Sequence, residues 1–207
     1  IRDRRYALMY HRYASMASHY PTRKGIKYHL VGREDAMFLK RMNRAADVYF
    51  IRHPHYDLSD LPHAGVRGCD RIKILVAGRY DFTMAQAADE AFEAMKALPQ
   101  NIKDRYLVTF LGKGWEIWGE DLKKSGFEVE LKDFVDDYAA EVSSHHIQLT
   151  PVAVGTGTKG KVLDAFANGL MVIGTPLALE NIAVESGREC VEYSDGSLPF
   201  ALAVKYI

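Results

Sequence analysis

Between Ile72 and Tyr193, apolar runs of strand length alternate with segments of helical spacing, and turn residues separate them. Ile72-Lys-Ile-Leu-Val-Ala77 is a nearly continuous apolar run, the pattern of a strand buried on both faces. Gly78 follows as a turn signal. Ala85, Ala88, Phe92 and Met95 then share one helical face, with Asp81 as the expected cap and Pro99 as the stop. Residues 106–111 form the next run. Gly112 and Gly114 turn the chain into a helix marked by Trp115, Trp118 and Leu122, and Gly126 ends it. The rhythm continues with a strand over 127–131 and a helix through Val135, Tyr138, Ala139 and Val142. A strand over 147–152, a helix over 161–168, a strand over 170–173 and a short run at 190–193 complete it. This alternation predicts an α/β fold, a Rossmann-like parallel sheet with helices on both faces. Ligands of such sheets bind beyond the carboxyl ends of the strands. The loops after Ala77, Leu111, Leu131, Val152 and Ile173 are therefore where a site is expected.

The first third of the chain is different. Residues 1–30 are rich in Tyr, His and Arg and show weak periodicity. Phe38, Met42 and Ala45 predict a helix over 34–46, followed by a short strand over 47–52. From His53-Pro-His55 to about Cys69, prolines and glycines predict a connector. Residues 1–69 are thus expected to be the end of one domain and a hinge, and 70–207 a second domain. The chain opens at Ile1 and stops in an apolar stretch at 202–207 that reads as an interrupted helix, so a piece of a longer protein is expected. No apolar run is long enough to span a membrane as a helix, and no signal-peptide pattern opens the chain. Cys69 and Cys190 make neither a disulfide framework nor a metal-ligand spacing, and a reducing cytoplasm is the expectation.

A net charge of zero conceals an asymmetry. Residues 1–44 hold eleven Lys/Arg against three Asp/Glu, and six of the eight histidines lie in the first 63 residues. Such a segment meets phosphates, anionic lipid or nucleic acid, or is simply a solvated face.

The loop after Val152 carries the most chemistry. It runs Val154-Gly-Thr-Gly-Thr-Lys-Gly-Lys-Val162 and leads into a predicted helix. Glycines let backbone amides approach a ligand, and a helix start favours an anion. Gly155, Gly157 and Gly160 spell a GxGxxG, but the dinucleotide fingerprint belongs after the first strand of its unit, and here it follows the fourth. A Walker A loop fails at Val162, where Ser or Thr must bind magnesium. A phosphate or diphosphate is the expected guest, and a glycine-rich turn without ligand is the bland alternative.

The longer string from Leu149 to Ile182, LTPVAVGTGTKGKVLDAFANGLMVIGTPLALENI, resembles the signature of glycosyltransferase family 4 and its two-Rossmann-domain (GT-B) relatives. Pro151, Gly155, Gly157, Lys159, Lys161, Leu163, Ala165, Gly169, Thr175 and Glu180 match it. Upstream, Val76-Ala-Gly-Arg79 resembles the family's V-G-R, Gly112-Lys-Gly114 its G-x-G turn, and Phe134-Val-Asp-Asp137 its F-V-x-D.

The resemblance implies a carboxy-terminal donor-binding domain of a hexosyltransferase-type enzyme. Its donor would be a nucleotide diphosphate sugar, and its pathway polysaccharide or glycolipid synthesis. It assigns Lys159 and Arg79 to the leaving diphosphate. It assigns Gly155, Thr156, Gly157, Thr158, Asp164, Glu180, Phe134 and Gly112 to substrate binding, with Asp164 on the donor ribose. No resident cofactor and no metal are implied, and the partners are a nucleotide sugar and an unknown acceptor. Peripheral contact with an anionic membrane at its cytoplasmic face is expected, and nucleic acid is not.

Two departures stand out. The family's paired glutamates lie eight positions apart, and Thr156 occupies the first position. Ala85 stands where many relatives carry a lysine after the arginine, and Lys159 is expected to supply that charge, with Lys161 turned away. His53 and His55 read as structural rather than as an acceptor base. A GT-B-like sugar-nucleotide epimerase and a non-catalytic nucleotide-sugar-binding module are the alternative readings, the latter favoured by Thr156.

Overall fold

The computed structural model describes residues 2–55 and 69–194. Most of the expected connector before Cys69, and the expected helix at 202–207, lie outside the described residues. Two compact units are formed, one from residues up to Pro54 together with Thr156–Thr158, the other from the remainder. Among the described residues no helix is long and apolar enough to cross a membrane.

The first unit contains α1 (Arg2–Ser18), β1 (Tyr28–Leu30), α2 (Arg33–Met42) and β2 (Val48–Phe50). The helix α1 is absent from the sequence expectation. Leu8, Met9, Tyr10, Tyr13 and Met16 are exposed, and among its described side chains Ala17 is the buried one. Without a buried stripe there is no 3.6-residue signal to read. The strand β1 pairs in parallel with β2, Tyr28 opposite Val48. The helix α2 stops at Met42 rather than at 46. Asn43 leaves helical geometry there, and its buried side-chain amide donates to the Tyr20 carbonyl at 3.0 Å. Glu34 and Asp35 in the first turn and Lys40 and Arg41 in the last match the helix dipole.

The second unit has the expected architecture. Its elements are β3 (Ile72–Ala77), α3 (Ala85–Lys96), α4 (Gln100–Lys103), β4 (Tyr106–Leu111), α5 (Glu116–Lys124), β5 (Glu128–Lys132), α6 (Tyr138–Ser143), β6 (Ile147–Thr150), α7 (Gly160–Ala167), β7 (Met171–Gly174), α8 (Pro176–Leu179) and β8 (Cys190–Glu192). The six strands form one parallel sheet in the order β5-β4-β3-β6-β7-β8. One core lies on the face bearing Ile74, Val76, Phe110 and Leu149, where Ala88, Phe92, Met95, Trp115 and Leu122 of α3 and α5 and their flanks pack. The other lies on the opposite face, where Leu75, Ala77 and Val172 meet Val142, Val162 and Ala165 of α6 and α7. Alternate side chains of each strand point to opposite faces, so both must be apolar, and the near-continuous apolar runs follow.

Three local expectations are corrected. Asp81 does not cap α3, whose N-cap is Met84; its carboxylate instead accepts from the Thr83 amide at 2.9 Å, and its carbonyl accepts from Met84 and Ala85. Val135 lies before α6, which starts at the cap Asp137, whose carboxylate accepts from the Ala140 amide at 2.9 Å. The strand β6 ends at Thr150 because Pro151 has no N–H to continue a ladder.

The chain leaves β3 toward β4 and β5 on one side of the sheet, and returns to β6, β7 and β8 on the other. The switch point therefore lies between β3 and β6, the position where open parallel sheets hold ligands.

Candidate functional site

The turn after β3 is pinned to its neighbours. The Gly78 amide donates to Leu111 at 2.9 Å, and the buried Trp115 indole donates to the Gly78 carbonyl at 2.7 Å. Gly112, at φ +132°, donates to Lys132 at 2.8 Å and lies so close to Gly78 that any Cβ would strike the Gly78 carbonyl. Only glycine combines that dihedral with that approach. Arg79 leaves this turn exposed.

Asp81 organises the next step. Hydrogen bonds from the Thr83 hydroxyl and amide hold its carboxyl below the usual carboxylate range. The Thr83 carbonyl then accepts from Ala153 at 2.8 Å and Val154 at 3.0 Å. From the other side the Thr175 hydroxyl donates to the Val152 carbonyl at 2.7 Å. The loop after β6 is thus fixed against the loops after β3 and β7 before the glycines begin.

Past that anchor the chain enters α7 at Lys159. No side chain caps this helix; the Val162 amide already donates to the Lys159 carbonyl at 3.0 Å, and the Gly160 and Lys161 amides ahead of it have no intrahelical acceptor and face an anion's natural position. The Lys159 ammonium lies 3.8 Å from the Glu180 carboxylate, both side chains being largely buried. Glu180 stands in extended conformation just past α8.

Lys161, expected to turn away from Lys159, has its ammonium at the Gly78 turn. The residue as a whole is exposed, yet a Cβ on Gly78 would stand 3.3 Å from its ammonium. Desolvation there pushes its pKa down, and Asp164 partly opposes the shift. The buried Gln148 on β6 donates to the Lys161 carbonyl at 2.9 Å and so holds the first turn of α7 to the sheet. Asp164, one turn further along α7, has an oxygen 3.6 Å from His55 Nε2.

The structure thus brings Arg79, Lys159, Glu180, Asp164 and Gly112 to the carboxyl edge of one sheet, and Gly155 with them. Phe134 is on the loop after β5, two strands from β3, and is 78% exposed. Thr156, Gly157 and Thr158 belong to the first unit, where the Thr158 hydroxyl donates to the Val31 carbonyl at 2.8 Å. The His53 ring bonds the Pro54 carbonyl at 2.7 Å.

Sequence reasoning missed Thr83, Gln148 and the Lys161 ammonium. Only Gln148 left a signal, as an amide between Ile147 and Leu149 in a fully buried strand, where polar groups require a dedicated partner. Chemically, the edge offers amides and cations for a phosphate group and carboxylates for vicinal hydroxyls.

The model of the family described as Glycosyl transferases group 1 matches residues 71–206. Three solved structures share the fold. HepE of Anabaena, solved in complex with UDP-glucose, is 12% identical with a TM-score of 0.63 over 86% of this chain and 52% of its own. Sucrose-phosphate synthase of Thermosynechococcus elongatus is 16% identical with a TM-score of 0.64 over 86% and 48%. WaaG, a glycosyltransferase involved in lipopolysaccharide biosynthesis, is 15% identical with a TM-score of 0.57 over 74% and 46%. The chain therefore spans about half the length of these proteins. No curated protein matches the sequence.

Proposed function

We propose a function from one premise: the chain belongs to the glycosyl transferases group 1 family. It is the donor-binding part of an enzyme that transfers a hexose from a nucleotide diphosphate sugar to an acceptor in polysaccharide or glycolipid synthesis. The observation that carries this reading is the uncapped start of α7, with Lys159 and Lys161, beside the Gly78–Arg79 turn at the switch point.

Transfer breaks the anomeric C–O bond and leaves charge on the diphosphate. Fixed donors aimed at that charge lower the barrier because they need no reorganisation as it develops. Arg79, a fork donor, and Lys159 act on the leaving group. Gly155 lends its amide to the phosphates, and Thr156, Gly157 and Thr158 are assigned to substrate on the family signature alone. Asp164 accepts from the ribose hydroxyls, and Glu180 accepts from a hydroxyl of the transferred sugar. Phe134 offers an exposed ring to the base, and Gly112 keeps the floor of the site free of side chains. The donor is a substrate, and no resident cofactor is assigned. Cytoplasmic action and peripheral contact with an anionic membrane belong to the same proposal, supported by the basic residues of 1–44.

One observation favours a second reading. Thr156 stands where the family signature has an acid, which suits a module that binds nucleotide sugars without reacting them. Full-length protein is screened by thermal shift against nucleotide sugars, then incubated with the stabilising donor with and without candidate acceptors. Acceptor-dependent donor consumption is expected. Binding without consumption sustains the module, isomerisation of donor alone sustains an epimerase, and no stabilisation by any donor ends the proposal.

A further inference from the structure

Two lysines flank the start of α7, and their surroundings differ. The ammonium of Lys159 has the Glu180 carboxylate at 3.8 Å, so its charge is offset within the protein. Lys161 has no carboxylate within 4 Å of its ammonium among the described residues. That ammonium is nevertheless drawn in against Gly78, at the carboxyl end of β3. A cation drawn partly out of water, with the Asp164 charge acting on it only from beyond contact distance, is costly to hold. It is stabilised when an anion arrives, and the cost of its desolvation has then already been met by folding. The carbonyl of the same residue is tied to the buried Gln148, so the first turn of α7 is anchored, and the side chain is aimed from a fixed base.

Gly78 itself matters to this geometry. Its φ of +135° and its missing Cβ leave the room that the ammonium occupies. Arg79 follows directly, so a guest resting on the Gly78 turn would meet both cations. Ala85, six residues after Arg79, is the first position of α3, and its methyl carries no charge.

Resting on the donor reading above, we infer that Lys161 is the principal diphosphate-binding cation of this chain, taking the place left by Ala85, whereas Lys159 is held by Glu180 and acts on turnover. The lowered pKa of Lys161 agrees with a site that waits for an anion. Engagement of Glu180 by a sugar hydroxyl would loosen its hold on Lys159 only when a complete donor is bound. Lys161 would thus govern binding of any nucleoside diphosphate, and Lys159 would matter chiefly when a sugar is present.

The test uses full-length protein and calorimetric titration with uridine, guanosine, adenosine and thymidine diphosphates, each beside its phosphate-free nucleoside. The tightest diphosphate for the parent is then used with K161M and K159M. K161M is expected to weaken diphosphate binding roughly 10- to 100-fold, the scale of a charge-assisted contact, while binding of the nucleoside changes little. K159M is expected to weaken diphosphate binding less than about fivefold by the same scale, since its charge is already offset. Unliganded K161M should melt no lower than the parent, because a desolvated cation has been removed; K161Q repeats the measurement if K161M does not fold. If the parent binds no diphosphate, the donor reading itself fails. If the parent prefers the diphosphate and the Lys161 variants keep that preference, or if K159M loses as much as they do, the donor reading stands and the assignment of Lys161 is overturned.

Discussion

The acids and cations at the carboxyl edge of the sheet separate by when each would act. Asp164 would hold a ribose equally well before and during transfer, which is uniform binding. Asp164→Asn is therefore expected to raise the donor KM about 5- to 30-fold, the equivalent of about 1–2 kcal/mol, with turnover nearly unchanged. Lys159 would meet charge that appears only as the bond breaks. Lys159→Ala is expected to lower turnover about 30- to 1000-fold and to raise KM far less. Steady-state kinetics on full-length enzyme at saturating acceptor separates the two patterns. A loss in KM alone for Lys159→Ala would remove its role at the leaving group. The residues behind these predictions were legible because each is a charged or glycine position in a spaced string. The place of the Lys161 ammonium beside Gly78 was not. Spacing along a helix says which face a residue leaves from, whereas the ammonium lies at the end of a long flexible stem whose course depends on Gly78, a residue from a distant strand. Gln148 and Thr83 escaped notice for a related reason, since each acts on backbone atoms of another segment.

Elements were legible in proportion to how completely they are buried. β3 and β4 were placed to the residue because their near-continuous apolar runs end at glycines. α1 and β1 left no pattern, the first because its apolar side chains are exposed and the second because three residues are too few to show alternation. Short α4 and α8 were missed on the same ground. Where β3 and β4 turn, tolerance should be low. Gly112→Ala places a methyl against the Gly78 carbonyl at a dihedral that only glycine adopts easily, and is expected to cost about 2–4 kcal/mol in urea unfolding. A cost below about 0.5 kcal/mol, the scale of a neutral surface change, would show that the turn adjusts freely. The end of α6 carries a pH dependence. His145 is buried, its Nδ1–H bonds the Glu141 carbonyl at 2.7 Å, and desolvation pushes its pKa down. Glu141 favours the charged ring, while Lys73 and Lys132 oppose it. The native state therefore prefers the neutral ring more than the unfolded chain does. The stability this contributes is present above the unfolded pKa of about 6.5 and is lost as pH falls through the lower native value. The parent should lose more stability than His145→Gln between pH 7.5 and pH 5. Urea curves at both pH values check this, and parallel losses would place the acid sensitivity elsewhere.

At the scale of the whole chain, charge and length bear on the same question. The chain spans about half of its solved relatives, and its excess positive charge is concentrated in residues 1–44, with eleven Lys/Arg against three Asp/Glu. Under the proposed function this segment would belong to the acceptor side of the enzyme, and it would draw the protein toward an anionic surface. Each basic residue near anionic lipid contributes about 1 kcal/mol, and several together give reversible, measurable association. The attraction acts over a Debye length, about 10 Å at 0.1 M salt and about 3 Å at 1 M. The exposed Leu8, Met9, Tyr13 and Met16 of α1 give a competing account, since apolar contact with a bilayer does not weaken with salt. Full-length protein is expected to float with vesicles containing phosphatidylserine at low salt, to be released at high salt, and to ignore neutral phosphatidylcholine vesicles. Replacing Arg23, Lys24 and Lys27 together by glutamine should reduce flotation at low salt, because the three side chains are exposed and lie within five residues of sequence. Salt-resistant flotation with both vesicle types would assign the contact to the apolar face of α1, and absence of flotation with either would leave the basic segment as a solvated surface.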